Sequence, residues 1–382
     1  MRILHTSDWH IGRQFHGVSL LDDQAHVLDQ ILTIAKNQKA DVILIAGDIY
    51  DRSIPPSGAV ALLDDVFNRI CNELNIPVIL IAGNHDGPER LGFGSRQMAG
   101  SGLHIISSPI DSIQPIILED KHGPVAFYGF PYTDPITCRN LFNADVSTHD
   151  DVMSYLVSLV KDTHDPQQRC VALAHLFLDG GETSESERPL SIGGLDQVSA
   201  HYFKIFNYAA LGHLHGRQYK ESEKLRYSGS ILKYSFSEVN HQKSVTLVDI
   251  DGQGSCVIED IPLVPKRDMR ILEGFLADLL KQGQTDPRKD DYLMVRLLDT
   301  HAILDIMHKL RDVYPNVLHM ERPGLMVSSD QPQLPRDHLK RGQMALFRDF
   351  FKQISGEELS LEQSQLVEKS LEEMNQGEEQ QL

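Results

Sequence analysis

The chain is short of positive charge: 36 Lys and Arg stand against 54 Asp and Glu, a formal net charge of −18 over 382 residues. Such a field repels phosphate at long range, so a general polyanion binder is excluded. Action on nucleic acid needs a local basic groove, bound cations or a partner that brings positive charge. Cysteine is scarce as well. Cys71, Cys138, Cys170 and Cys256 are widely spaced with no CxxC pair, which speaks against a disulfide framework and fits buried thiols in a reducing compartment. No apolar stretch nears the ~20 residues that cross a bilayer. Asp8 and His10 come before any apolar core of a signal peptide can form. A soluble, cytoplasmic protein with no membrane segment is the expectation. Internal repeats are also lacking. The remainder is ordinary globular composition, 41% hydrophobic and 24% charged, with length for two or three domains.

Short apolar runs alternate with helical spacings. Arg2–Thr6, Asp41–Ala46 and Pro77–Ala82 read as strands, and Leu21–Lys39 and Ser57–Leu74 as the helices between them. That order predicts right-handed crossovers and a largely parallel sheet in an α/β fold. Further strands are expected at Val125–Tyr128, Cys170–Ala174, Tyr208–Leu211 and Ser244–Ile250, and a helix at Asp151–Lys161. The pattern changes near Pro262–Lys266. Helix Ile271–Lys281, strand Tyr292–Leu298, helix Ala302–Val313 and strand Val317–Glu321 then make a small α+β unit. The resulting division is 1–265 for the main domain, 266–327 for the small unit, 328–337 for a linker, 338–376 for two amphipathic helices and 377–382 for an acidic tail. Ser360 and Gln363 form a candidate capping box for the second of those helices. Residues 355–382 hold eight Glu and one Lys, −7 of the total charge.

The chemistry sits where strands end, which is where open α/β sheets bind ligands. Asp8 and His10 follow the first strand; Gly47, Asp48 and Asp51 follow the second; Gly83, Asn84, His85 and Asp86 follow the third. His175 ends another run, and Gly212, His213 and His215 end a fifth. Singly, Gly-Asp is an ordinary turn and a lone histidine an ordinary core residue. Together, carboxylate, imidazole and amide carbonyl are the donors that manganese, iron or zinc take. Asp8, His10, Asp48, Asn84, His175, His213 and His215 are seven candidate ligands, enough for two ions that share one. Asp48 is the chosen bridge, since a carboxylate offers two oxygens. Paired cations can hold a phosphodiester and acidify a water between them. His85 is then spare as a ligand and suited to protonating the leaving oxygen, with Asp86 to orient it.

Asp8-x-His10, Gly47-Asp48-x-x-Asp51, Gly83-Asn84-His85-Asp86, His175 and Gly212-His213-x-His215 resemble the calcineurin-like metallophosphoesterase superfamily. His5-Thr6-Ser7-Asp8-Trp9-His10-Ile11-Gly12, Ala46-Gly47-Asp48-Ile49-Tyr50-Asp51, Tyr227-Ser228-Gly229-Ser230 and Ser235-Phe236-Ser237-Glu238 resemble its DNA-repair exonuclease branch over the whole chain. The resemblance implies a four-layer α/β sandwich, a small α+β capping domain that binds DNA, and C-terminal helices. It implies two manganese ions, one held by Asp8, His10, Asp48 and His215, the other by Asp48, Asn84, His175 and His213, with His85 catalytic. It implies ATP-dependent double-strand exonuclease and single-strand endonuclease activity, hairpin opening, and work in replication, recombination and repair. ATP enters only through an SMC-like coiled-coil ATPase partner, in an assembly holding a dimer of this chain. Relatives carry a second catalytic histidine where this sequence has Asp51.

Leu339–Met374, with Phe347, Phe350 and Phe351 beside Lys340, Arg341, Arg348 and Lys352, is the candidate docking surface for that ATPase. Arg13 and Arg90 follow metal motifs closely and are candidate phosphate contacts. Leu178–Ser191 is a candidate substrate-side loop. Two rival readings are a phosphoesterase of nucleotides or phosphoproteins, and a scaffold with a degenerate site. The C-terminal helices favour the nuclease over the first, and the complete ligand set disfavours the second.

Overall fold

The computed structural model describes residues 1–188, 190, 196–301, 303–323, 344, 347–348, 351–352, 355 and 357–379. The expected linker 328–337 lies outside the described residues. So do 338–343 and much of the first expected docking helix. The chain forms two compact units, Met1–Asp268 and Met269–Leu382.

The first unit holds two six-stranded sheets. In one the order is Cys256–Pro262, Ser244–Ile250, Arg2–Thr6, Val42–Ile45, Val78–Ile81 and Leu103–Ile106. Its last four strands run parallel and its first two antiparallel. The other runs Gln218–Lys220, Ser222–Tyr227, Tyr208–Gly212, Arg169–His175, Gly123–Phe130 and Ile116–Asp120. Strand alternation puts Ile3, Val42, Leu44, Ile79 and Ile81 of the first sheet into one core with Val125, Phe127, Val171, Leu173 and Ala210 of the second. The far face of the second sheet (Tyr128, Phe130, Ala172, Leu211) packs on Val152, Leu156 and Val160 of helix His149–Lys161. Helices Leu21–Gln38 and Ser57–Asn68, between strands of the first sheet, bury Val27, Leu28, Ile31, Leu63 and Val66. The result is the four-layer α/β sandwich. Strands buried on both faces read as continuous apolar runs, which is why Val42–Ile45 and Val78–Ile81 are legible in sequence.

One helix ends differently from its expected form. Past Asn68 the chain widens into a π turn, Arg69–Glu73, closed by Leu74 N–H donating to Arg69 O at 3.0 Å. At the opposite end of the second sheet from the strand-end motifs, Arg169 donates to both oxygens of Asp120, at 2.5 and 3.0 Å, with both side chains under 9% exposed. The Arg169 guanidinium holds the Asp120 carboxyl well below the usual carboxylate range. Asp120→Asn leaves a buried cation without its countercharge, and about 3–5 kcal/mol of stability is expected to go at pH 7. A depressed carboxylate contributes fully above its unfolded value, roughly 3.9, and loses its contribution as pH falls through the folded one. Urea unfolding should therefore show the gap between wild type and Asp120→Asn narrowing below about pH 4.

The second unit is a three-stranded parallel sheet, Met269–Gly274, Tyr292–Leu297 and Val317–Glu321, with helices Leu276–Gly283 and Ile306–Arg311. The expected helix Ile271–Lys281 is corrected: its first half is a strand. Apolar residues at 271, 272, 275, 276, 279 and 280 mimic helical spacing across a boundary that Gly274 marks. Ser360 N–H donates to Gln363 Oε1 at 2.9 Å and Gln363 N–H to Ser360 Oγ at 3.2 Å, a reciprocal capping box opening helix Leu361–Glu379.

Candidate dimetal centre

Five strand ends from the two sheets deliver the site. Asp8 N–H donates to Gly47 O at 3.1 Å and His10 N–H to Asp48 O at 2.9 Å, so the first two loops run side by side. Gln24 fastens the first of them from behind, donating to His10 O at 2.7 Å and accepting from Gly12 N–H at 3.0 Å. Asp8, His10, Asp48 and His213 all sit at positive φ (53°, 45°, 50° and 106°). That region costs a side-chain-bearing residue energy, and functional sites are where it is held. Two glycines permit the closeness. A Cβ on Gly212 would lie 1.9 Å from Ala46 O, and one on Gly83 would lie 2.2 Å from Asp48 Oδ1.

The side chains meet with lone pairs facing. His175 Nδ1 lies 2.9 Å from Ala46 O, an acceptor only, so Nδ1 carries the proton and Nε2 a lone pair. That Nε2 faces Asn84 Oδ1 at 2.9 Å. His10 Nε2 and His215 Nε2 face each other at 3.1 Å. Asp48 Oδ2 lies between, 3.6 Å from His10 Nε2 and 3.5 Å from His175 Nε2, while its Oδ1 accepts from His85 N–H at 2.9 Å. His213 N–H donates to Asp8 Oδ1 at 2.9 Å, and the His213 ring packs edge-on to His175 at 5.4 Å. Among the described residues, three triplets have donor atoms within 4.8 Å of one another: Asp8–His10–His215, Asp8–Asp48–His175 and His10–Asp51–His85. Asp8 belongs to two of them, and so does His10. His10 Nδ1 is buried with no hydrogen-bond partner among the described residues.

The electrostatics of the cluster suit a divalent cation. Burial pushes the Asp48 carboxyl up to about 6, against the pull of His85. Burial, then the Asp48 charge, raises Asp8 well above its ordinary value. Burial lowers His175 and His215 to about 4; it also lowers His10 and His213 well below the ordinary imidazole value, with neighbouring imidazoles adding to it. Neutral imidazoles around crowded carboxylates are costly alone and are the ligand state divalent cations require. The residues fit the metals that the sequence implies.

Asp86 is corrected. It does not orient His85; its carboxylate accepts backbone N–H groups of Gly83 (2.9 Å), Tyr50 (2.9 Å) and Ile49 (3.1 Å), pinning the second loop to the third. Burial, then Asp48, pushes its carboxyl up to about 7. The His85 ring is set instead by Asp51 O, 2.8 Å from Nδ1, and lies 4.7 Å from the His10 ring. Arg13 donates to Asp51 Oδ1 at 3.1 Å and lies over the Tyr234 ring at 5.1 Å. Arg90 is exposed.

Sequence reading gives no individual role to Ser186, Glu187 and Lys243, which surround His215; the first two fall within the candidate loop Leu178–Ser191, and no local pattern marks Lys243. Most basic side chains near the small unit are paired. Arg267 pairs with Asp23, Arg270 with Asp286 and Asp291, Arg288 with Asp291, and Arg296 with Glu321, while Arg311 donates to Val317 O. Lys266, Lys289 and Lys309 are exposed.

The calcineurin-like phosphoesterase family model matches residues 1–217. A second model, SbcD_C, described as the type 5 capsule protein repressor C-terminal domain, matches 265–355. The chain is similar to the D subunit of the nuclease SbcCD from Staphylococcus epidermidis, 33% identical over 368 residues, 96% of this chain and 97% of that one. Among solved structures, a dimetal phosphatase from Danio rerio is 11% identical, with TM-score 0.40, over 69% of this chain and 98% of its own. A Thermus thermophilus protein is 14% identical, with TM-score 0.39, over 68% and 98%.

Proposed function

The chain belongs to the calcineurin-like phosphoesterase family, as a metal-dependent hydrolase akin to SbcD nucleases, and on that premise we propose that it cleaves DNA phosphodiesters at a centre of two manganese ions. One ion is held by Asp8, His10, Asp48 and His215, the other by Asp48, Asn84, His175 and His213. The observation that carries this is the meeting of opposed lone pairs, His10 Nε2 with His215 Nε2 and His175 Nε2 with Asn84 Oδ1, around one carboxylate oxygen of Asp48. Bound divalent ions supply positive charge to the scissile phosphate and acidity to a water.

The chain's own residues do the rest. Asp51 O accepts a hydrogen bond from His85 Nδ1–H, so in the imidazolium form the Nε2 proton is the one delivered to the leaving oxygen, and the ring returns to neutral with its proton on Nδ1. Asp86 holds the loop carrying His85 against the loop carrying Asp48. Arg13 lies over Tyr234 and is tied to the side chain of Asp51, whose carbonyl sets the His85 ring.

The relatives support the finer reading. It is an ATP-dependent double-strand exonuclease and single-strand endonuclease that opens hairpins and processes ends in DNA replication, recombination and repair. ATP is used by SbcC, an SMC-like ATPase docked through the Leu339–Met374 helices, in a heterotetramer holding a homodimer of this chain in the cytoplasm. The unit 266–327 contacts DNA; Lys266, Lys281, Lys289 and Lys309 are its exposed lysines. The test is manganese-dependent digestion of a hairpin DNA, with and without SbcC and ATP. Hairpin opening with both, against little with the chain alone, supports the reading. Hydrolysis of small phosphate esters with no DNA cleavage under any condition would replace it with a nucleotide or phosphoprotein phosphoesterase.

A further inference from the structure

Behind His215 lies a buried ion pair that the proposed chemistry does not use. Glu238 is fully buried, and Lys243, 8% exposed, donates to its Oε2 at 2.5 Å. Lys243 also donates to His215 O at 2.9 Å and Ser230 Oγ at 2.8 Å. The other oxygen, Glu238 Oε1, accepts from Ser186 Oγ, and from Tyr234 N–H at 3.3 Å. Ser186 Oγ lies 2.6 Å from His215 Nδ1, and Glu238 Oε1 lies 3.3 Å from the same nitrogen. Next to Ser186, Glu187 Oε1 accepts His215 N–H at 2.6 Å. The Tyr227–Ser230 and Ser235–Glu238 strings thus converge on one ligand, and so does the loop that sequence marks as substrate-side.

Polarity runs one way through this chain of groups. A carboxylate paired to an ammonium can only accept, so the Ser186 hydroxyl points its proton at Glu238. Ser186 Oγ is then left to accept from His215, which puts the imidazole proton on Nδ1. Nε2 keeps a lone pair, and Nε2 is the atom that faces His10 Nε2 at 3.1 Å. Histidine ligands are commonly set by such a partner on the far nitrogen. We propose that Glu238, anchored by Lys243 and acting through Ser186, is the positioning residue that fixes His215 as an Nε2 ligand and joins the 184–187 loop to the ion that His215 holds. The proposal rests on the two-ion reading above.

Glu238→Gln tests it, because the swap keeps shape and reverses polarity. Lys243 demands an acceptor, so the Gln oxygen faces Lys243 and the amide NH₂ faces Ser186. The serine must then donate to His215 Nδ1, and the imidazole proton moves to Nε2. Isothermal titration with manganese should show one of two sites weakened about 10–100-fold, with the other unchanged. Nitrogen-15 NMR of the metal-free protein should show the His215 proton on Nδ1 in wild type and on Nε2 in the variant. Equal loss at both sites, no loss at either, or an unmoved tautomer would overturn the relay. Should Glu238→Gln fail to fold by circular dichroism, Ser186→Ala carries the test. It leaves Glu238 Oε1 in direct reach of Nδ1, so a smaller loss confined to the same ion is expected, and no loss overturns the role. Wild type binding fewer than two ions would sink the two-ion reading instead, and the metal-free tautomer would still judge the relay.

Discussion

His85→Gln should lower DNA cleavage by roughly 10²–10⁴-fold, the range a lost general acid costs, while both ions still bind. Two features make this specific. The tie between His85 and the metal site is through its backbone, His85 N–H to Asp48 Oδ1 at 2.9 Å, and glutamine keeps it. The imidazole donates from Nδ1 to Asp51 O at 2.8 Å, and a glutamine amide can preserve that donation too. What the substitution removes is a titratable nitrogen on the other side of the ring. Single-turnover cleavage of a labelled hairpin in saturating manganese, with the partner and ATP, reads the chemical step. A variant within a few-fold of wild type would remove His85 from the chemistry and shift attention to Arg13 and Asp51.

Asp48→Asn should have two effects of opposite sign. Cleavage should fall to background, and ion affinity should fall beyond the roughly 10–100-fold that a lost supporting residue costs, because the shared anionic ligand is gone. Metal-free stability should hold or rise. His85 N–H requires an acceptor, so the Asn oxygen takes the place of Oδ1 and the NH₂ takes that of Oδ2. There it meets the lone pairs of His10 and His175, now 3.6 and 3.5 Å from a carboxylate oxygen that burial makes expensive to ionise. Thermal melts in a chelator and in manganese separate the two effects. Wild type should gain stability from manganese by mass action, and Asp48→Asn should not. A variant that melts early in chelator and is rescued by manganese would contradict the placement of Asp48 among the ligands.

The site is legible because its donors sit directly after apolar runs. Val42–Ile45 and Val78–Ile81 are buried on both faces, so their ends are sharp in sequence and the loops after them stand out. Edge strands lack that contrast. Ile116–Asp120 alternates half-buried with exposed positions, as Cys256–Pro262 does, and neither stands out from its surroundings. Met269–Gly274 escapes for a different reason: its apolar residues continue in helical phase into Leu276–Gly283. The role of Asp86 is not readable from spacing, since adjacency to His85 says nothing about which way a carboxylate turns. Glu238 stands 23 residues beyond His215 and Lys243 farther still, and a buried ion pair has no sequence signature until the fold supplies its partner.

Counting ions tests the whole account most directly. Wild-type protein, dialysed free of metal and then saturated with manganese, should bind two ions per chain by titration. Crystals of it should show two anomalous peaks, both among Asp8, His10, Asp48, Asn84, His175, His213 and His215. One ion or none at saturation, in protein that is folded, would contradict it.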